Sequence, residues 1–222
     1  LVKLSKQVGV RLGVGHTERF NPVVLWLAER IRGQEILSIN IQRVGPRPPR
    51  IKDVGIVTDL AVHDLDLISF LSHSPLCQAM CVGHATSGIH EDLAEIIVAT
   101  ESGVIGSIST NWLTPFKSRQ ISVATKEALF WADLFQPTAR IYTSIDASLS
   151  RYSVEEALIR WQEPLEMQAR AFHEFLSGNE ASDTVRAEEA AQAVFWVKEC
   201  ITSLRKGASK IDSLSTANSG SR

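Results

Sequence analysis

Alternating apolar and polar residues fill most of the stretch from Leu76 to about Tyr142, and this pattern constrains the fold more than any other feature of the chain. A period of two is typical of strands whose two faces meet different environments. The strand-like runs are joined by short turns, such as the one at 101–103, which close hairpins but are too short for the helical crossovers of a parallel sheet. The stretch therefore predicts an open, mostly antiparallel β-sheet.

Helical periodicity surrounds this predicted sheet on both sides. Apolar residues recur at helical spacing in four segments, at 22–32, 59–71, 163–178 and 186–207. In the first segment, Asn21 suits the N-cap, Pro22 the first helical position and Gly33 the stop, and the last two segments also end at a glycine. The fold class is therefore expected to be α+β, with helices packed on one face of the sheet.

Composition and charge narrow the classes of partner. Of the 222 residues, 44% are hydrophobic and 22% are charged, which is enough for a sizeable core. A net charge of −2 gives no electrostatic reason to expect nucleic acid or an anionic membrane, and no apolar run approaches the ~20 residues that span a bilayer. Three cysteines without zinc-type spacing favour a reducing compartment, so we expect a cytoplasmic protein without a metal site.

Residues 1–15 have the pattern of one helix end followed by one strand of a parallel sheet. Residues 1–9 have the pattern of the end of a helix, and the run VRLGVG at 10–15 is continuously apolar, like strands buried in parallel sheets. The first residue is Leu1 rather than Met. We therefore expect the partners of this strand to lie in sequence upstream of Leu1.

The run TDLAVHDLDL places Asp59 and His63 four residues apart within the helix expected at 59–71. At that spacing the two side chains share one helix face, one turn apart. A carboxylate beside an imidazole is a proton-transfer pair, and its negative charge is expected to raise the pKa of His63 toward the range where a general acid or base works best.

Structural interpretations of these residues stay open. A histidine on a half-buried helix is more often packed than catalytic, and an aspartate near a helix start, such as Asp59, can cap it. A metal site is less favoured, because His63 has no second ligand at suitable spacing and His73 lies beyond the expected helix end. Asp59, Asp64 and Asp66 lie within two helical turns, which does not favour the flanking carboxylates of glycoside hydrolysis.

The segment 35–44 alternates cleanly and predicts a strand before the helix at 59–71. Arg43 falls on the same face as three apolar residues, Leu37, Ile39 and Ile41. It should therefore project from the core-covered face near the end of the strand.

The loop 45–55 is rich in proline and carries Arg47, Arg50 and Lys52. Three prolines prevent both ladders and helices here. Since the loop leads directly into the helix of Asp59 and His63, we expect anion recognition at this place. The alternative is that these side chains are ordinary solvated surface charges.

Four runs together resemble the glucose-fructose oxidoreductase/inositol dehydrogenase (Gfo/Idh/MocA) family. They are GHTERFNP, VGPRPPR, DVGIVTDLAVHDLDL and the late helix RAEEAAQAVFWVKECITSLRKG, and they occur in the order seen in that family over essentially the whole chain. The run RVGPRPPRIKDVGIVTDLAVHDLDL looks most like its branch of sugar-nucleotide dehydrogenases, the UDP-N-acetylglucosamine 3-dehydrogenase type.

The resemblance implies a division of the chain into domains. Members of the family have an N-terminal Rossmann domain followed by a larger domain with an open, mostly antiparallel sheet. Residues 1–15 would then be the last helix and strand of the dinucleotide-binding domain, and 16–213 the domain for substrate binding and oligomerisation. The small polar residues at 214–222 are expected to form a flexible tail. An open sheet face is an assembly surface, so we expect a homodimer or homotetramer.

The resemblance also implies roles for single residues. The D-x-x-x-H motif of the family falls on Asp59 and His63, which implies substrate binding and proton transfer at a sugar carbinol. The R-F-N-P element implies that three residues border the nicotinamide of NAD or NADP, namely Arg19, Asn21 and Pro22. Four basic residues would meet the diphosphate of a sugar nucleotide, namely Arg43, Arg47, Arg50 and Lys52.

Two functions follow as hypotheses. The first is an NAD(P)-dependent dehydrogenase that acts on a hydroxyl of a sugar or sugar nucleotide, seen here mainly as its substrate domain. The glycine-rich phosphate loop and the catalytic lysine of the family are absent, because the sequence starts after them, so this chain alone is expected to be inactive. The second is a non-catalytic module that binds a sugar nucleotide or assembles through its sheet.

Overall fold

The structure, a computed structural model, describes residues 1–86, 88–146, 151–179 and 182–219. The chain begins with helix α1 (Val2–Val8), which ends at Gly9 in the left-handed region with φ 68°. The strand β1 (Gly13–Val14) is much shorter than the strand expected at 10–15, and it pairs antiparallel with β10 (Val185–Arg186). The expectation that this strand finds no partner within the chain is therefore wrong, because a later segment of the same chain supplies one.

A single 3₁₀ turn (Thr17–Phe20) leads from β1 into α2 (Pro22–Arg30). The expected cap is confirmed: the Asn21 side-chain oxygen accepts from the Val23 N–H at 3.0 Å, and Pro22 holds the first helical position. The helix ends at Arg30, two residues before the predicted end. Gly33, with φ 79°, lies in the turn that follows.

The main sheet contains eight strands among the described residues. Their bounds are β2 (Ile36–Val44), β3 (Leu76–His84), β4 (Leu93–Thr100), β5 (Ile105–Asn111), β6 (Ser118–Thr125), β7 (Leu129–Asp133), β8 (Thr138–Asp146) and β9 (Arg151–Leu158). The spatial order is β3-β4-β5-β2-β6-β7-β8-β9. Only β2 and β5 pair in parallel within the described ranges, so the expected mostly antiparallel sheet is confirmed.

The strand β9 was not predicted from the sequence. Most of its residues are exposed, including Tyr152 at 60% and Val154 at 46%, so neither face gives an apolar signal. A second difference lies in β2, where the register shifts between Ile36 and Ser38. The irregularity turns Leu37 outward, 45% exposed, although alternation placed it with buried Ile39.

The helix predicted at 59–71 is present, but it begins with a π turn (Val57–Ala61) before the regular α3 (Val62–Ser72). Glu91 fixes its start, since its carboxylate accepts from the Val57 N–H at 3.2 Å and its carbonyl accepts from the Ile56 N–H at 2.9 Å. That carboxylate occupies the place where a Cβ of residue 55 would lie, which explains the glycine at Gly55.

Two further helices complete the chain. α4 (Pro164–Leu176) ends just before Gly178, as predicted. α5 (Ala187–Ser219) continues through Gly207, where a stop was expected, so the backbone of the expected tail 214–222 is helical as far as Ser219. Residues 220–222 lie outside the described residues.

Helices α2, α3 and α5 cover one face of the sheet, which confirms the expected α+β class. Gly106 of β5 lets α3 approach closely, because an added Cβ there would lie 2.7 Å from a methyl group of Ile68. The core combines strand and helix residues, including Ile39, Ile41, Ile96, Ile108, Ile121, Leu27, Leu65 and Ile68. The opposite face stays open and exposes apolar side chains, including Leu37, Met80, Val82, Ile97 and Ile105.

Candidate active site

Charged side chains from four elements converge at the end of β2. The 3₁₀ turn contributes Glu18, β2 contributes Arg43, α3 contributes Asp64 and β6 contributes Arg119. We call these four residues the arginine cluster. It contains two cations and two anions, so its formal charge is balanced.

Arg43 is the centre of the arginine cluster. It is 2% exposed, and it donates to Asp64 Oδ1 from Nε at 2.8 Å and from Nη2 at 2.7 Å. Its Nη1 donates to Glu18 Oε1 at 2.8 Å. Burial alone would lower the pKa of Arg43, but the charges of Asp64 and Glu18 raise it above its ordinary value, so the guanidinium stays charged.

This geometry corrects the expectation for Arg43. The side chain does project from the core-covered face, as predicted, but its donors are already bound to two carboxylates of the chain. At 2% exposure it presents almost no surface to a diphosphate. Arg43 holds the 3₁₀ turn, β2 and α3 together, and it leaves the predicted substrate-binding set.

A second ion pair fixes the other side of the 3₁₀ turn. Arg19 donates to Asp66 from Nε at 2.8 Å and from Nη2 at 2.7 Å, and its Nη1 donates to Glu189 of α5 at 2.6 Å. The guanidinium lies over the ring of Phe70 at 5.0 Å. Arg19 thus joins the 3₁₀ turn to both α3 and α5.

His63 lies between these two ion pairs and is partly buried. Burial, the positive charge of Arg43 and the neighbouring His16 together lower its pKa to about 4, although Glu18 and Asp66 act in the opposite direction. The imidazole is therefore neutral at pH 7 and able to accept a proton. Its Nδ1 is buried and has no hydrogen-bond partner in the described part of the chain.

The expected partnership of Asp59 and His63 is not seen. Asp59 is not among the groups that shift the pKa of His63, and the direction of the shift is downward rather than upward. The π turn explains the difference, since its wider turn breaks the regular rotation that would align residues four apart on one face. Asp59 is partly buried, on the turn that precedes His63.

The loop after β2 forms a cationic cavity of about 500 Å³. Arg47 and Lys52 lie in its wall, together with His90 from the loop between β3 and β4. We call it the basic cavity. Arg47 also lies over the ring of Trp112 at 5.0 Å, which limits its freedom. Arg50 is exposed and does not line this cavity.

The three residues predicted to border the nicotinamide are held by contacts within the chain. Asn21 is 4% exposed, and both ends of its amide are engaged, with the Val23 N–H and with the Leu134 carbonyl at 3.0 Å. Pro22 is buried at the start of α2, and Arg19 is held by two carboxylates. These contacts fix the 3₁₀ turn and the start of α2, and contact of Arg19, Asn21 and Pro22 with a nicotinamide stays a prediction.

The cavities of the described part of the chain include four with volumes of about 310, 850, 500 and 200 Å³. Neither Asp59 nor His63 lines any of them. The cavity of about 310 Å³ lies beside the Arg19–Asp66 pair, between α3 and α5. Among the described residues, no group of three or more histidine, cysteine, aspartate or glutamate side chains is placed to hold a metal ion.

Sequence comparison finds a family model that matches part of the chain. Residues 35–130, which include β2 to β6, match the model described as the GFO/IDH/MocA C-terminal domain. This confirms the resemblance drawn from the sequence motifs. The UDP-N-acetylglucosamine 3-dehydrogenase of Acidithiobacillus ferrooxidans is 22% identical over 142 residues, which cover 64% of this chain and 45% of that protein. The chain thus spans less than half the length of this curated relative.

Solved structures share the fold. The crystal structure of that enzyme, GnnA, matches with a TM-score of 0.79 at 18% identity, covering 91% of this chain and 65% of its own. An oxidoreductase domain protein from Kribbella flavida matches with a TM-score of 0.75 at 11% identity, covering 92% and 66%. GenD2 from gentamicin A biosynthesis, solved in complex with NAD, matches with a TM-score of 0.72 at 17% identity, covering 93% of this chain and 65% of its own.

No helix within the described ranges has both the length and the apolar character needed to cross a bilayer.

The lowered pKa of His63 predicts how stability depends on pH. In the unfolded chain a histidine binds a proton below about pH 6.5, whereas folded His63 stays neutral down to about 4. The unfolded state therefore binds more protons in this window, and the contribution to stability is full above it and lost as pH falls. Between pH 7.5 and pH 4.5, the free energy of unfolding of His63→Phe should fall by about 2 kcal/mol less than that of the native chain, measured by urea unfolding. Exposed His173 supplies the control variant His173→Phe, and equal losses in the native chain and His63→Phe would contradict the account.

Proposed function

We propose that this chain is the substrate domain of an NAD(P)-dependent oxidoreductase that oxidises a hydroxyl of a sugar or sugar nucleotide, of the UDP-N-acetylglucosamine type. The observation that carries the proposal is a partly buried, neutral imidazole at His63 with a free ring nitrogen, set between two fixed ion pairs. Relatives with this fold are named as oxidoreductases, and one of them is a sugar-nucleotide dehydrogenase.

The chemistry of alcohol oxidation requires a proton acceptor. The carbinol carbon loses a hydride only as its hydroxyl loses a proton and the oxygen electron pair forms the carbonyl bond. His63 is neutral above about pH 4, so at neutral pH it can take that proton. The hydride acceptor is expected to be NAD or NADP, and only the path of the proton is derived from this chain.

Asp59 keeps a separate role in the proposal. It is partly buried one turn before His63 and is not among the groups that shift the pKa of that ring. A carboxylate in this position can accept a hydrogen bond from a sugar hydroxyl and so orient the substrate beside His63. Asp59 is therefore proposed as a substrate-binding residue rather than as the group that tunes the histidine.

The basic cavity is proposed to bind the diphosphate. Arg47, Lys52 and His90 come from two loops at one end of the sheet and present donors toward a space of about 500 Å³. Charge-assisted hydrogen bonds from such groups favour phosphate oxygens. The loop of Arg47 and Lys52 leads directly into the helix of Asp59 and His63, so a nucleotide bound here would carry its sugar toward them.

A second candidate function is a non-catalytic module that binds a sugar nucleotide or assembles into a homodimer or homotetramer through its sheet. Two observations favour it. The catalytic candidates Asp59 and His63 line none of the four cavities, and the open face of the sheet exposes apolar side chains on neighbouring strands.

Replacing the proposed proton acceptor tests the enzymatic function. In the full-length protein, assayed by reduction of NAD in the presence of UDP-N-acetylglucosamine, His63→Asn should lower kcat by about 10²-fold or more, because the hydroxyl proton loses its acceptor. The melting temperature should change little. The matched control His173→Asn, on the exposed side of α4, should keep full turnover. Unchanged turnover in His63→Asn would leave the binding module as the better description.

Arg47→Ala tests the diphosphate site without an activity assay. Loss of one charge-assisted contact should weaken UDP binding by about tenfold, measured by isothermal titration calorimetry. Arg50→Ala removes a charge from the same loop but outside the basic cavity, and should change the Kd by less than about twofold. Equal losses in the two variants would show that the cavity does not bind the nucleotide.

A further inference from the structure

His16 is a second imidazole beside the proposed proton acceptor. It directly precedes the 3₁₀ turn and is 5% exposed. Its ring meets the ring of His63 edge to face, with the centroids 5.8 Å apart and the planes at 81°. Such contacts between buried rings fix the orientation of both.

A chain of fixed groups holds His16 in turn. Its Nδ1 lies 3.7 Å from Asp66 Oδ2, which is beyond a hydrogen bond but close enough for electrostatic attraction. Both oxygens of Asp66 are held by Arg19, and Arg19 is anchored on Glu189. The position of the His16 ring is therefore set by contacts that reach from the 3₁₀ turn to α5.

Neither imidazole satisfies its Nδ1 within the described part of the chain. The Nδ1 atoms of His16 and of His63 are both buried and have no hydrogen-bond partner there. Buried polar atoms are nearly always paired, so two adjacent exceptions need an explanation other than stability. Two unpaired rings in contact, at the place where three elements meet, indicate a functional arrangement.

We propose that His16 is a positioning residue for His63: its edge-to-face contact holds the His63 ring in one orientation and keeps that ring unprotonated until substrate arrives. This inference rests on the proposed function, in which His63 accepts the hydroxyl proton. When His16 is protonated, its charge opposes a proton on His63, and the low-dielectric setting of the two rings strengthens this repulsion.

The charges around the two rings agree with this role. Burial lowers the pKa of both His16 and His63, and His16 lowers the pKa of His63 further. The charged groups that act on the two rings come from the 3₁₀ turn, β2, α3 and α5, and they are Glu18, Arg19, Arg43, Asp66 and Glu189. Asp64 and Arg119 lie one contact further out, in the ion pairs of the arginine cluster.

A titration of the histidine ring carbons by NMR on the intact chain tests the contact directly. His16→Phe keeps a ring of similar size but removes the nitrogen atoms, and it should raise the pKa of His63 by at least about 0.5 units. His16→Gln, a polar variant without a ring, should also raise the pKa of His63. It replaces His16→Phe in the test if the phenylalanine variant does not fold. His173→Phe, on an exposed part of α4, should leave the titration unchanged. An unchanged pKa of His63 in both His16 variants overturns the positioning role.

Kinetics on the full-length protein separate this inference from the proposed function. His16→Phe should move the acidic limb of kcat/KM to higher pH and lower kcat several-fold with little change in KM. If His63→Asn keeps full turnover, the proposed function fails whatever the titration gives. If His63→Asn is inactive but His16→Phe leaves both the titration and the pH profile unchanged, the positioning role alone fails.

Discussion

The buried guanidinium of Arg43 is the interaction on which the rest of the site depends. It is bound by Asp64 of α3 and by Glu18 of the 3₁₀ turn, and Glu18 also accepts from Arg119 of β6. Removing these charges from water is costly, and the pairing offsets that cost only if every partner stays in place. The arginine cluster therefore fixes the 3₁₀ turn and α3 relative to the sheet. We infer that the cluster contributes a defined arrangement of these elements rather than a large gain in stability.

The position of α3 in turn sets the chemistry of His63. The carboxylates of Glu18 and Asp66 favour the charged form of this ring, but burial, the cation Arg43 and the second imidazole outweigh them. The ring therefore stays neutral, which is the form a proton acceptor needs. The same turn that carries Glu18 also carries Arg19, so the arginine cluster and the Arg19–Asp66 pair hold His63 from two sides.

Much of the fold follows from local pattern, and less of the site does. Alternation and short turns predict the antiparallel sheet, and the Asn21–Pro22 start of α2 follows from capping chemistry. The π turn leaves no signal in the sequence, and it separates Asp59 from His63 although their spacing is helical. His16, Glu18 and Arg119 meet the site only through tertiary packing, which no spacing rule reveals. The charges of the basic loop are visible in the sequence. That Arg43 is buried in an ion pair, whereas Arg47 lines the basic cavity and Arg50 is exposed, is visible only in the structure.

A double-mutant cycle on the arginine cluster tests the central claim most directly. The variants are Arg43→Met, Asp64→Leu and the pair together, and the free energy of unfolding is measured in urea. Arg43→Met leaves buried Asp64 without its partner, and Asp64→Leu leaves Arg43 bound only to Glu18, so each should cost about 3–5 kcal/mol, whereas the double variant should be more stable than either single variant. Losses that simply add in the double variant would show that the two residues do not act as a buried pair, and the account of how the site is held would be wrong.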